Sequence, residues 1–115
     1  PSTTTALKLT GAISLGRELE TVTGATTLTV GNRSNIEVNN TAGLANVALT
    51  NGIEDGQILM IQLKNGSSSI QIFETANFNI PAAYGGSVTC SQNSVLMLVW
   101  ANADAQWRMI SFSQN

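Results

Sequence analysis

The side chains that most often do catalysis are scarce in this 115-residue sequence, which has seven carboxylates, one cysteine and no histidine. Without histidine, Ser–His and Cys–His nucleophile pairs and most zinc sites are excluded. Two carboxylates can hydrolyse a glycosidic bond. Glu18 and Glu20 would share a strand face, whereas Glu54 and Asp55 precede Gly56 and are interpreted as turn-forming residues. No glycine-rich phosphate-binding motif is present. We expect a protein that is not an enzyme and uses no cofactor and no metal.

The single cysteine, Cys90, lies in the strand-like run Val88–Cys90. One cysteine forms no internal disulfide, so the stability of the fold must come from packing. We predict a buried, unreactive thiol.

The low charge of the chain restricts its partners. Only 10% of the residues are charged, against roughly 25% in typical domains. Thr, Ser, Asn and Gln supply the polarity instead, and these side chains enter an interface without the desolvation cost of an unpaired charge. The composition favours permanent contact with other chains, with a neutral extracellular β-domain as the alternative. The net charge of −2 and five scattered cations predict neither nucleic acid nor membrane as a partner.

The pattern of the chain is that of an all-β protein. Roughly eight to ten short runs rich in β-branched residues are separated by turn residues, which predicts an antiparallel β-sandwich or jelly-roll-like single domain. Residues 1–25 are interpreted as an N-terminal arm with the first strand or strands, and residues 26–115 as the body. A helix-like pattern from Leu15 to Thr21 is too short and uncapped to predict a helix. Pro81 stops the run that begins at Phe78, which suits an edge strand or a loop.

Two Asn-Gly pairs flank the strand predicted at residues 57–63. Asn51-Gly52 is typical of a hairpin, and Asn65-Gly66 of a second tight turn. We predict a positive φ at both Gly52 and Gly66.

The runs at residues 57–63 and 95–100 are apolar on both faces, although a sandwich strand needs only one apolar face. The face with large, unbroken apolar residues is predicted to lie in the core: Leu59, Ile61, Leu63, Leu96, Leu98 and Trp100. The other face contains methionines and a glutamine, a mixture that suits a subunit interface. The predicted interface residues are Ile58, Met60, Val95, Met97 and Val99.

Two segments carry a resemblance to a known group of proteins. They are NVALTNGIEDGQILMIQLKNGSSSIQI (residues 46–72) and GGSVTCSQNSVLMLVWANADAQWRMIS (residues 85–111). This order of turns and apolar strands resembles the β-rich modules of bacteriophage virions, both the trimeric domains of tail fibres and tail spikes and the capsid decoration (cement) proteins. The resemblance implies a homotrimeric, non-enzymatic virion component and carries over no catalytic residue. Met60 and Met97 would then lie at the three-fold contact.

The resemblance leaves two roles open. A fibre needs an attachment region and a shaft, whereas this chain reads as a complete small protein. We therefore expect a decoration protein on the capsid surface, which binds itself as a homotrimer and also binds the major capsid protein. The alternative is a tail-fibre or receptor-binding tip that binds a host glycan, with Tyr84 and Trp107 as aromatic platforms. In the decoration role, a polar arm would dock on a neighbour or the shell: Pro1, Ser2, Thr3, Thr4 and Thr5.

Overall fold

A computed structural model describes residues 9–113 of the chain. Ten β-strands and one short 3₁₀ turn (Ala82–Tyr84) make up its regular structure. The strands are β1 (Glu18–Val22), β2 (Thr26–Leu28), β3 (Asn35–Asn40), β4 (Ala45–Leu49), β5 (Ile58–Leu63), β6 (Ile70–Phe73), β7 (Phe78–Asn79), β8 (Ser87–Cys90), β9 (Val95–Ala101) and β10 (Gln106–Ser113).

The strands form two sheets that pack face to face as a sandwich. The larger sheet has the order β1-β3-β5-β9-β10-β7, and the smaller sheet has the order β2-β4-β6-β8. The all-β sandwich predicted from the sequence is therefore confirmed. The short run at Phe78 is an edge strand, as expected from Pro81. In residues 9–113 no helix has the length and apolar character needed to cross a membrane.

The strand pairing is more parallel than predicted. Five of the eight strand pairings within residues 9–113 are parallel. From β1 to β6 the chain changes sheet at every step, so β1, β3 and β5 are parallel neighbours in one sheet and β2, β4 and β6 in the other. A parallel pair needs a crossover connection, and here a strand of the opposite sheet supplies it. The antiparallel arrangement holds for β5–β9, β9–β10 and β6–β8.

The two predicted glycine turns have different outcomes. Gly66 adopts φ +87° in a turn closed by a hydrogen bond from the Ser67 N–H to the Lys64 carbonyl (2.9 Å), as predicted. Gly52 does not adopt a positive φ, and no hairpin forms there because β4 and β5 belong to different sheets. A Cβ atom at Gly52 would overlap the side chain of Trp100 at Cγ. Gly52 is therefore required by a close approach, not by its φ angle.

The core lies between the sheets, and the predicted inward residues of β5 and β9 are buried in it. Trp100 and Trp107 pack edge to face, with ring centroids 5.2 Å apart. Each indole N–H has a partner: Nε1 of Trp107 donates to the Thr50 carbonyl (2.9 Å) and Nε1 of Trp100 to Oδ1 of Asn102 (3.2 Å). Because the polar atoms are satisfied, these large rings are buried without an unpaired donor.

Candidate functional site

The carboxylate pair Glu18 and Glu20 lies on one face of β1, as predicted, because residues two apart in a strand point the same way. The Arg33 guanidinium lies 3.0 Å from the Glu20 carboxylate and 4.0 Å from that of Glu18. Glu18 and Glu20 are in register with Ile36 and Val38 on β3, so the two carboxylates point to the inner side of β1, an edge strand. Inward-pointing charges on an edge strand prevent it from pairing with a strand of another chain, so the pair has a structural explanation.

Other carboxylates hold turns and neighbouring strands. Oδ1 of Asp55 accepts a hydrogen bond from the Asn102 N–H (2.9 Å), which ties the turn before β5 to the turn after β9. Glu74 Oε1 accepts from the Ile80 N–H (3.0 Å). The interpretation of Asp55 as a turn residue is consistent with this contact. The prediction that the chain is not an enzyme stays a prediction.

Cys90 is buried in the core, as predicted. Burial disfavours the thiolate and raises the pKa of Cys90 to about 12. The thiol is therefore protonated at neutral pH, which suits a packing role and not a nucleophile.

The outer face of the larger sheet carries an apolar strip along its central strands, which we call the methionine face: Ile58, Met60, Val95, Met97 and Val99. Met60 and Met97 are direct cross-strand partners, and so are Ile58 and Val99. All five residues are partly exposed, although their neighbours Leu59, Ile61, Leu96 and Leu98 in the same strands are fully buried. The structure thus brings the five predicted interface residues together on one surface.

Polar groups border the methionine face, and their hydrogen bonds are made within the chain. Asn35, opposite Met60 on β3, is buried and donates through Nδ2 to the Leu15 carbonyl (3.2 Å). Nε2 of Gln62 donates to Oδ1 of Asn35 (3.4 Å). On the other side, Arg108 lies opposite Val99 and forms an ion pair with Asp104. The border is therefore polar, and its groups are already paired.

The outer face of the smaller sheet has a different chemistry. Its outward residues are threonine, serine, asparagine and glutamine, with one alanine and one phenylalanine, and none of them is charged. We call this surface the polar face: Thr27, Asn46, Ala48, Gln71, Phe73, Ser87 and Thr89.

Phe73 is the prominent feature of the polar face, with 45% of the residue exposed. A shallow groove of about 440 Å³ runs beside it, with Ala25, Thr26, Thr27, Asn46, Val47, Ala48, Phe73 and Thr75 as its lining. Phe73 is not among the aromatic platforms predicted from the sequence, which were Tyr84 and Trp107. The alternation in Ile70–Phe73 contained the signal, because it puts Gln71 and Phe73 on the face opposite to the buried Ile70 and Ile72.

The predicted aromatic platforms differ in exposure. Tyr84 is 41% exposed and packs edge-on against Phe112, with centroids 6.0 Å apart. Trp107 is fully buried, so its prediction as a glycan platform is wrong: the residue pairs with Trp100 across β9 and β10 and points inward. The proposed docking arm, Pro1–Thr5, lies outside the described residues.

Comparison with known proteins agrees with this architecture. A family model described as the phage depolymerase C-terminal β-sandwich domain matches residues 17–108. The match starts just before β1 and ends within β10, so it spans both outer faces. No curated protein matches the chain. The family match confirms the resemblance to bacteriophage virion β-modules, and the chain belongs to the family of phage depolymerase C-terminal β-sandwich domains.

Proposed function

We propose that this domain is a non-catalytic structural module of a phage tail spike or tail fibre, and that it associates as a homotrimer. The family description refers to the C-terminal sandwich of a depolymerase, which supports the tail-fibre alternative better than capsid decoration. We accordingly propose the tail as its location in the virion, and we do not retain the major capsid protein as a partner.

The observation that carries the proposal is the methionine face. Solvent-facing positions at the centre of a sheet are normally polar when that face meets water, yet here Met60 and Met97 pair across β5 and β9 with valine and isoleucine around them. Burying apolar area contributes roughly 25 cal/mol per Å² removed from water. Methionine adapts its shape to a partner surface, which suits a contact that forms after each chain has folded.

The charges beside the strip also favour assembly. Glu37 lies on β3 and is paired with Arg17 (3.4 Å), and Arg108 is paired with Asp104 on the opposite side. An interface that covers these groups meets charges that are already neutralised in pairs, so its desolvation cost is lower than for isolated charges. Three copies around a closed axis would bring three methionine pairs together and leave no copy with this strip exposed.

The test is the mass of the protein in solution. We expect the unaltered chain to sediment as a trimer and the Met60→Asp variant as a monomer with an unchanged far-ultraviolet circular dichroism spectrum. Phe73→Asp puts the same charge on the polar face and serves as the matched control, and it should remain trimeric. A monomer for the unaltered chain at high concentration, or dissociation by Phe73→Asp alone, would contradict the proposal.

A further inference from the structure

We propose that the polar face is a saccharide-binding surface on which Phe73 stacks against a neutral pyranose ring. The inference rests on the proposed function in one respect. A trimer that buries its methionine faces turns the opposite face of each sandwich outward, into solvent.

The shape of the surface suits one or two sugar rings. Phe73 ends β6 and projects beside the groove of about 440 Å³, which lies within the roughly 300–1,000 Å³ range of small-molecule sites. The C–H groups on one side of a pyranose are apolar and pack on the face of an aromatic ring, while the hydroxyl groups at the rim need hydrogen-bond partners. The half-exposed ring of Phe73 meets the first need, and the polar side chains that line the groove meet the second.

The side chains around the ring can supply those partners. Asn46 is exposed and lines the groove, and its amide offers two donors and an acceptor. Gln71 lies opposite Asn46 and is held by a hydrogen bond from its Nε2 to Oγ of Ser87 (3.2 Å). This bond fixes the amide in place, so the acceptor oxygen of Gln71 is oriented before a ligand arrives. Thr27 and Thr75 add hydroxyl groups to the lining.

The absence of charge on this face selects the class of ligand. An acidic polysaccharide or a phosphate would need arginine or lysine, and none stands among the outward residues of β2, β4, β6 and β8. A protein partner would need a broad apolar centre, whereas this face has one large apolar side chain, Phe73. A neutral saccharide requires one ring and several uncharged polar groups, which is the set present.

The experiment is an NMR titration of the full chain with maltohexaose, cellohexaose and chitohexaose as neutral probes, and with an oligogalacturonate as the acidic probe. We expect at least one neutral probe to shift the amide signals of β4 and β6. The Phe73→Ala variant should bind it at least about tenfold more weakly, a loss of about 1.4 kcal/mol. Tyr84→Ala removes the other half-exposed aromatic ring and should bind as the unaltered chain does.

Three outcomes would overturn the inference: no neutral probe binds, only the acidic probe binds, or Tyr84→Ala abolishes binding while Phe73→Ala retains it. Two separate measurements distinguish this inference from the trimer proposal: the sedimenting mass, tested with Met60→Asp, and the saccharide binding, tested with Phe73→Ala. If the unaltered chain proves monomeric but Phe73-dependent binding persists, the assembly proposal alone is wrong. If the trimer forms and Phe73→Ala binds normally, the saccharide inference alone is wrong.

Discussion

The two outer faces of this sandwich cover the same core and yet differ in chemistry. On the larger sheet, the central outward positions are methionine, isoleucine and valine, bordered by groups paired within the chain. On the smaller sheet the outward residues are threonine, asparagine, glutamine, serine and one alanine, with Phe73 as the one large ring. A sandwich strand needs one apolar face to fold, and the second apolar face is the feature on which the proposed trimer rests. A neutral polar face with a single ring fits a ligand made of hydroxyl groups.

The strongest test of the difference between the core face and the methionine face uses two adjacent residues of β9. Leu98 is fully buried, whereas Met97 is partly exposed on the methionine face. Leu98→Asp puts an unpaired charge into the core and should lower the free energy of unfolding by more than about 4 kcal/mol, which leaves little folded protein. Met97→Asp should keep the fold and lose the trimer. Circular dichroism and sedimentation measure the two effects. If Met97→Asp unfolds the chain as Leu98→Asp does, the second face belongs to the fold of a single chain.

Which side chains of β9 point into the core was predictable from the sequence, because successive side chains in a strand point to opposite faces of the sheet. The buried set of Leu96, Leu98 and Trp100 was predicted from its larger, unbroken apolar residues. Trp107 was misjudged because its neighbours were unknown: β7 pairs with β10 at Trp107 and Arg108, and the Trp107 ring fills the core beside Trp100. Phe73 was not predicted as a binding residue, although the alternation of buried and exposed residues in Ile70–Phe73 places it on the outward face.

The partner of each strand was less predictable than the direction of its side chains, and the reason is physical. Alternation depends only on the pleat, whereas the partner of a strand depends on where its connection leads. Residues 50–57 carry the chain from β4 in the smaller sheet to β5 in the larger one. The Asn51-Gly52 pair in this connection resembles a hairpin turn, and the contact that determines the role of Gly52 comes from Trp100, far along the chain. No local pattern contains that information.

The connection between the two sheets gives the next prediction. Gly52→Val would force a Cβ into the Trp100 ring and should lower the free energy of unfolding by about 3 kcal/mol. Gly66 has open space around it and a positive φ, so Gly66→Val should cost about 1 kcal/mol. Urea denaturation measures both values. Asparagine tolerates the left-handed conformation, so Gly66→Asn should recover stability and Gly52→Asn should not. Recovery at Gly52 would mean that strain in the backbone, and not the Trp100 contact, explains that glycine.

The substitution with the smallest expected effect on stability tests whether the polar face remains exposed to solvent in the trimer. Thr27 is exposed on the outward side of β2, an edge strand of the smaller sheet. Thr27→Lys should change the free energy of unfolding by less than about 0.5 kcal/mol, because the added ammonium group remains hydrated, and the sedimenting mass should not change. Val99→Lys puts the same group on the methionine face, where assembly would have to desolvate it beside Arg108, so the trimer should dissociate. If Thr27→Lys also dissociates the trimer, the polar face takes part in the subunit contact. The assignment of the subunit contact to the methionine face alone is then wrong.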